Sequence, residues 1–333
     1  MRGKNPLSGE DRMIQRYFGP IATQPGALGL SDDAAYLTPP DGHDLVLTAD
    51  ALVGGVHFFP DDPPDAIARK ALRVNLSDLA AKGAAPAGFL LSLALPKKVG
   101  ANWLKNFARG LKSDAAEFSC PLLGGDSVRT PGPVTIAVTA FGTLRRGSMV
   151  KRSGAQPGDT ILVTGTIGDA ALGLKLRHDP KAAKRWTLSA KAEKHLLGRY
   201  LIPQPRNALA EALRLHASAA MDVSDGLAGD LAKLCRVSGV SATIDVEKVP
   251  LSSAVRAARA ADRGALETIL TGGEDYEILC AVPPDRVEPF RVAAASAGVV
   301  VAAIGTIMAG KGAPVFRDHG RKLTFKESSF SHF

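Results

Sequence analysis

The 333-residue sequence predicts an α/β protein with mixed sheets in two domains, and three observations carry that reading. Short apolar strands alternate with helix-length amphipathic runs along the whole chain. One grammar, an apolar strand followed by acids or paired glycines, recurs in both halves. Between the halves a basic stretch bearing Gly and Pro, from Arg145-Arg146-Gly147-Ser148 to Gly158-Asp159, breaks the pattern and divides the chain into 1–150 and 151–333. The length itself exceeds what one core usually serves.

Composition narrows the class. Apolar residues make up 45% and charged residues 22%, ordinary for a packed globular chain. Residues 1–16 are studded with charges and lack an apolar signal core, so a cytoplasmic protein is expected. The uncharged run 292–310 has about transmembrane length, but it is mostly Ala, Gly, Ser and Thr, and Gly298 splits it into a helix end and a strand. No membrane span is expected. Cys120, Cys235 and Cys280 stand apart with no CxxC spacing and read as buried free thiols. The net charge of +8 suits small polyanions such as nucleotides; without interleaved aromatics or a recognisable nucleic-acid module, no nucleic acid is expected as a partner.

In chain order, 13–18 reads as a short helix closed by Gly19-Pro20, and 28–37 as a strand-like segment interrupted by Asp32 and Asp33. Adjacent acids in a strand face opposite sides; a turn with surface aspartates is the other reading. Residues 44–50 form a strand ending in Thr48-Ala49-Asp50. His57, between Val56 and Phe58, fits a core histidine as well as a ligand. The helix 66–82 gathers Arg69, Lys70, Arg73 and Ser77 on one side, while Asn75 and Asp78 fall inside its apolar arc. A carboxylate aimed at a core is costly unless paired, hydrogen-bonded or on a metal, so Asp78 is expected to meet something prepared.

Strands at 89–95 and 134–144 flank a helix at 103–118 and the run Leu122-Leu123-Gly124-Gly125-Asp126-Ser127. The second half reads as a strand at 160–164, helices at 170–177, 184–201 and 209–215, and the segment Met221-Asp222-Val223-Ser224-Asp225-Gly226-Leu227 opening a helix. Ser224 or Asp225 could cap that helix, which leaves Asp222 unexplained. A strand at 243–246 and a helix at 251–261 precede Thr271-Gly272-Gly273-Glu274-Asp275-Tyr276-Glu277, which feeds another strand; 287–297 is helical.

The acids so collected are Asp32, Asp33, Asp50, Asp78, Asp126, Asp222, Asp225 and Glu274. All-oxygen groups favour hard cations, Mg2+ in particular where glycine-rich loops stand ready for phosphates. Gly305-Thr306-Ile307-Met308-Ala309-Gly310-Lys311 matches the spacing of a phosphate-binding loop, but Gly312 replaces the hydroxyl residue that should follow, so it is rejected.

Taken in order, Ser31-Asp32-Asp33-Ala34-Ala35, Thr48-Ala49-Asp50 with Gly55-Val56-His57-Phe58, Val74-Asn75-Leu76-Ser77-Asp78-Leu79-Ala80-Ala81, Gly124-Gly125-Asp126-Ser127, Asp222-Val223-Ser224-Asp225-Gly226-Leu227 and Thr271-Gly272-Gly273-Glu274-Asp275-Tyr276-Glu277 resemble the thiamine-monophosphate kinase family over nearly the whole chain. That resemblance implies the aminoimidazole ribonucleotide synthetase-like fold, with N-terminal strands forming a homodimer interface and a C-terminal domain closing the active site. It implies Mg-assisted, direct in-line transfer of a phosphoryl group from ATP to thiamine monophosphate. Carried over by motif, Asp33, Thr48, Ala49, Asp50, Asp78, Asp126, Asp222 and Asp225 would hold several Mg2+ ions; among them Asp78, Asp126 and Asp222 would be catalytic. Gly125, Asp126, Arg152 and Ser224 would contact ATP, and His57, Glu274 and Phe330 the thiamine monophosphate. Ser31, Ala49 and Ser127 depart from the family's usual Gly, Thr and Thr. Rival readings are another ATP-dependent enzyme of that superfamily, such as a selenophosphate or aminoimidazole ribonucleotide synthetase, and a non-catalytic nucleotide-binding maturation protein.

Overall fold

The computed structural model describes residues 8–327 and 329. It divides into two compact units at Arg146/Gly147, with Ala80–Ala84 counted in the second.

The first unit runs α1 (Gly9–Tyr17), β1 (His43–Val53), α2 (Pro64–Ala81), β2 (Ala85–Leu95), α3 (Ala101–Glu117), β3 (Leu122–Arg129) and β4 (Thr135–Arg145). Helix α1 begins with a reciprocal cap: Asp11 N donates to Ser8 Oγ at 3.0 Å and Ser8 N to Asp11 Oδ2 at 3.1 Å. The sheet order is β1-β4-β2-β3, with β3 parallel to β2 across the α3 connection and the other pairs antiparallel. Along β4, buried Ile136, Val138, Ala140 and Leu144 alternate with half-exposed Thr135, Ala137, Thr139, Phe141 and Thr143. One face of this sheet is therefore closed and the other open, and Leu47 of β1 is 59% exposed there.

Two expectations change here. Residues 31–40 contain no strand; Leu28 and Leu30 adopt left-handed backbone, and Gly26 lies so close to Tyr36 O that a Cβ would come within 2.0 Å of it. Thr48 and Asp50 lie in the middle of β1, because its pairing with β4 continues through Val53. The polar side of α2 is buried as well: Arg73 donates from Nε and Nη2 to Asp114 (2.6 and 2.9 Å) and from Nη2 to Glu117 (3.0 Å), so α3 covers that face.

The second unit runs β5 (Thr160–Thr164), α4 (Asp169–His178), α5 (Ala182–Arg185), α6 (Ala190–Leu201), α7 (Ala210–His216), β6 (Ala219–Asp222), α8 (Leu227–Ser238), β7 (Ser241–Asp245), α9 (Ser253–Ala261), α10 (Ala265–Thr271), β8 (Ile278–Val282), α11 (Val287–Ser296), β9 (Val301–Met308), β10 (Val315–Asp318) and β11 (Arg321–Lys322). Its sheet order is β11-β10-β7-β9-β5-β8-β6. Both faces are covered: Ile161, Val163 and Leu279 join a core with Leu172, Leu231 and Ile269, while Leu162, Cys280 and Val282 join another with Leu213 and Phe290. A strand buried on both faces reads as a continuous apolar run, as β8 does.

The single helix expected at 184–201 is instead two. Trp186 turns fully into the core, Thr187 is left-handed, and Ser189 starts α6 afresh by accepting from Ala192 N at 3.2 Å. Neither Ser224 nor Asp225 caps α8; Gly226 does so by position, at φ 114°. All three cysteines are buried and free, and burial pushes Cys120 and Cys280 up to about 12 and Cys235 to about 11. The run 292–310 is the end of α11 followed by β9, and no described helix is long and apolar enough to cross a membrane.

Candidate active site

In the first unit, Asp78 meets β1. Alternation along β1 turns Thr48 and Asp50 toward the helix layer and Ala49 toward the open face; Thr48 Oγ1 donates to Asp78 Oδ2 at 2.5 Å. The loop after β1 is tied back by His57, whose Nδ1 accepts from Val53 N at 3.0 Å and whose carbonyl accepts from Lys70 Nζ at 2.9 Å. That main-chain donor fixes the neutral ring with its proton on Nε2.

Asp33 and Asp126 come together elsewhere, lining one cleft of about 770 Å³ over the open sheet face, with Gly124, Gly125 and Ser92. The paired glycines lie inside β3 rather than in a turn. A Cβ on Gly125 would stand 1.8 Å from Leu91 O of β2, so close strand approach requires glycine there. Register places Asp50 in a row with Val138, Leu91 and Gly125. Three strand spacings, roughly 14 Å, separate the two ends of that row. Asp50 and Asp126 thus occupy opposite edges and opposite faces of one sheet, and a single first unit does not bring them to one ion.

In the second unit the two remaining acid segments run backbone to backbone. Val223 N donates to Glu277 O, Tyr276 N to Val223 O and Glu274 N to Ser224 O, each at 2.8 Å. A Cβ on Gly273 would stand 2.1 Å from Ser224 O, and one on Gly226 2.5 Å from Thr271 O. Glycine at both positions lets Ser224 and Glu274 lie side by side. Asp222 is buried at the end of β6. Arg152 is exposed on the segment beside β6, where Ala220 N donates to Lys151 O at 3.0 Å. Glu274 and Tyr276 hold left-handed backbone at φ 77° and 50°, a conformation that costs non-glycine residues on the order of 1–3 kcal/mol and clusters at ligand clamps. Phe330 lies outside the described residues.

Sequence reasoning missed Lys233. Its ammonium bonds both Asp225 and, at 2.8 Å, Asp230 Oδ1, while Asp230 Oδ2 accepts from Asp225 N at 2.9 Å. Burial alone would lower Lys233, but those carboxylates overcome it and hold it above its ordinary value; burial raises Asp230. The i, i+3 spacing of Asp230 and Lys233 on a helix was the available signal.

The donor set fits a hard divalent ion by chemistry, being carboxylates, one hydroxyl and one main-chain carbonyl. Among the described residues, however, no three His, Cys, Asp or Glu side chains converge as a metal cage. An ion here would complete its shell with water and ligand phosphate, as Mg2+ commonly does, and at Asp225 it would share the carboxylate with Lys233.

The fold and these oxygen-rich segments define a two-part α/β protein of the AIR synthase related class. Residues 31–144 match the family model for the AIR synthase related protein N-terminal domain, and 156–317 that for its C-terminal domain. The chain is 42% identical over 323 residues to a thiamine-monophosphate kinase of Caulobacter vibrioides, covering 96% of this chain and 89% of the relative. It superposes on the crystal structure of a thiamine-monophosphate kinase from Stenotrophomonas maltophilia with a TM-score of 0.81 at 37% identity, covering 94% and 96% of the two chains. A ThiL protein solved in complex with AMPPCP and TMP gives a TM-score of 0.77 at 29% identity over 99% and 100%. The chain belongs to the thiamine-monophosphate kinase family.

Proposed function

We propose that this protein transfers the γ-phosphoryl group of ATP to the phosphate of thiamine monophosphate, giving thiamine diphosphate and ADP. The observation that carries the reading is a set of six acid-bearing segments, spread over both units, in a chain that resembles a thiamine-monophosphate kinase over 96% of its length. The acceptor already carries an anionic oxygen, so in-line attack needs no protein nucleophile; positioning and charge neutralisation remain for the protein to supply.

Residues 1–150 take ATP and metal, and residues 151–333 complete the site. Asp33, Thr48, Ala49 through its carbonyl, Asp50, Asp78, Asp126, Asp222 and Asp225 would hold Mg2+, which when bound offsets the charge of the phosphates. Asp78, Asp126 and Asp222 act on the transferring group. The backbone of Gly125, together with Asp126, Arg152 and Ser224, orients ATP. His57, Glu274 and Phe330 receive the substrate, Glu274 facing the thiazolium cation. The working protein is a homodimer. A second copy on the open sheet face would cover Leu47 and offer the separated acid groups at the two sheet edges counterparts from another chain. It works in the cytoplasm, without nucleic acid or membrane.

The test is a product assay with thiamine monophosphate, ATP and Mg2+. Thiamine diphosphate forms, and chelation of Mg2+ abolishes it. ATP consumption without thiamine diphosphate would favour another enzyme of the superfamily, and ATP binding without turnover a maturation protein.

A further inference from the structure

In the run Glu274-Asp275-Tyr276-Glu277, only Glu274 has a role so far. The two acids after it are buried to 1% and 0% exposure, and both are fully engaged by the body of the second unit. Asp275 Oδ2 accepts from Gly168 N at 2.7 Å and Oδ1 from Ala170 N at 3.1 Å, so both oxygens grip the first turn of α4. Glu277 is held from three sides. Arg206 donates to both its oxygens at 2.7 and 2.5 Å, Arg199 Nη2 to Oε1 at 2.9 Å, and Thr164 Oγ1 to Oε2 at 2.7 Å. Arg199 Nη2 also reaches the Asp275 carbonyl at 3.3 Å, and Thr164 Oγ1 accepts from Ile278 N at 2.8 Å. The glycines around them leave room for the carboxylates: a Cβ on Gly165 would stand 2.1 Å from Glu277 Oε1.

These contacts fall on either side of left-handed Tyr276 and directly after left-handed Glu274. A backbone in that region persists only where its surroundings over-determine it, and here the over-determination comes from the two buried acids. We infer that Asp275 and Glu277 are positioning residues for the substrate acid, fixing Glu274 by clamping the following peptides to α4 and to the Arg199–Arg206 pair. The inference rests on the reading of Glu274 as a residue of the thiamine monophosphate site. Because these bonds fall on the peptides that follow Glu274, and none of them is made by Arg152 or Ser224, loosening the clamp affects the two substrates unequally.

Steady-state kinetics of Asp275→Asn tests this. The amide keeps the side chain's shape but sets an N–H2 against one of the two main-chain donors. KM for thiamine monophosphate is expected to rise roughly tenfold or more, with KM for ATP within about twofold. Thr164→Val, a milder loosening of Glu277, shifts the same constant in the same direction and decides the matter if Asp275→Asn does not fold. Parallel rises for both substrates, or no change in either from a folded variant, would overturn the clamp. Glu274→Gln separates the two claims. If it leaves KM for thiamine monophosphate unchanged, Glu274 is not at the substrate and the inference falls with it; if it raises that KM while Asp275→Asn does not, the positioning role alone is overturned.

Discussion

Asp275 is fully buried, and burial pushes its carboxyl up to about 8; the Gly168 amide opposes this, the neighbouring Asp169 adds to it, and the Ala170 amide and Arg199 oppose it again. The unfolded chain releases that proton near the ordinary value of 3.8. Between those values the folded state holds more protons than the unfolded state. This group's contribution to stability is therefore full below the unfolded value and declines as pH rises toward the folded one. The melting temperature of the wild type is expected to fall between about pH 5 and pH 8 more steeply than that of Asp275→Asn, which has nothing to titrate there. Equal slopes in differential scanning calorimetry would show that Asp275 is ionised throughout. The sequence marked Glu274 through its glycines and its neighbours. It did not distinguish Glu274 from Asp275 and Glu277, because three acids in four residues look alike until the fold brings Gly168, Arg199 and Arg206 against two of them.

Helix α2 shows what is and is not legible at the level of one element. An acid inside an apolar arc pointed to a prepared partner, and that partner is Thr48, on a strand whose own β-formers were equally plain. The opposite side of the helix carried no such pointer, since a stripe of Arg, Lys and Ser does not reveal the acids that bury it. Those acids, Asp114 and Glu117, sit on α3, and their spacing says nothing about α2. Asp114→Ala leaves Arg73, only 1% exposed, as a buried charge with its main partner gone, and is expected to cost about 3–5 kcal/mol of unfolding free energy. Urea titration checks this; a loss below about 1 kcal/mol would mean that water reaches Arg73. Likewise Gly125→Ala forces β3 away from β2 and should lower thermal stability more than Gly124→Ala, whose added Cβ would meet Leu90 Cδ2 at an ordinary 3.4 Å.

For the whole molecule, most strands of both sheets are legible in hydrophobic patterning, though the short β10 and β11 are not, and strand order is not legible at all. That Asp50 and Asp126 stand at opposite edges of the four-stranded sheet depends on β4 inserting between β1 and β2, a non-local pairing that no local pattern encodes. The open face of the same sheet, with Leu47 at 59% exposure, is where the proposed second copy docks. Leu47→Asp is expected to shift the protein from dimer to monomer in analytical ultracentrifugation, and turnover should fall with the dimer fraction. A wild type that sediments as a monomer at assay concentration while fully active would remove the homodimer from the account.

Everything proposed for this protein depends on the γ-phosphoryl group passing directly from ATP to thiamine monophosphate at a site anchored by Asp78. A single-turnover experiment with γ-phosphate-labelled ATP tests it most directly, comparing the wild type with folded Asp78→Asn. Label is expected in thiamine diphosphate and none on acid-quenched wild-type protein, with no transfer by the variant. Label on the protein, label released only as inorganic phosphate, or undiminished transfer by Asp78→Asn would contradict it.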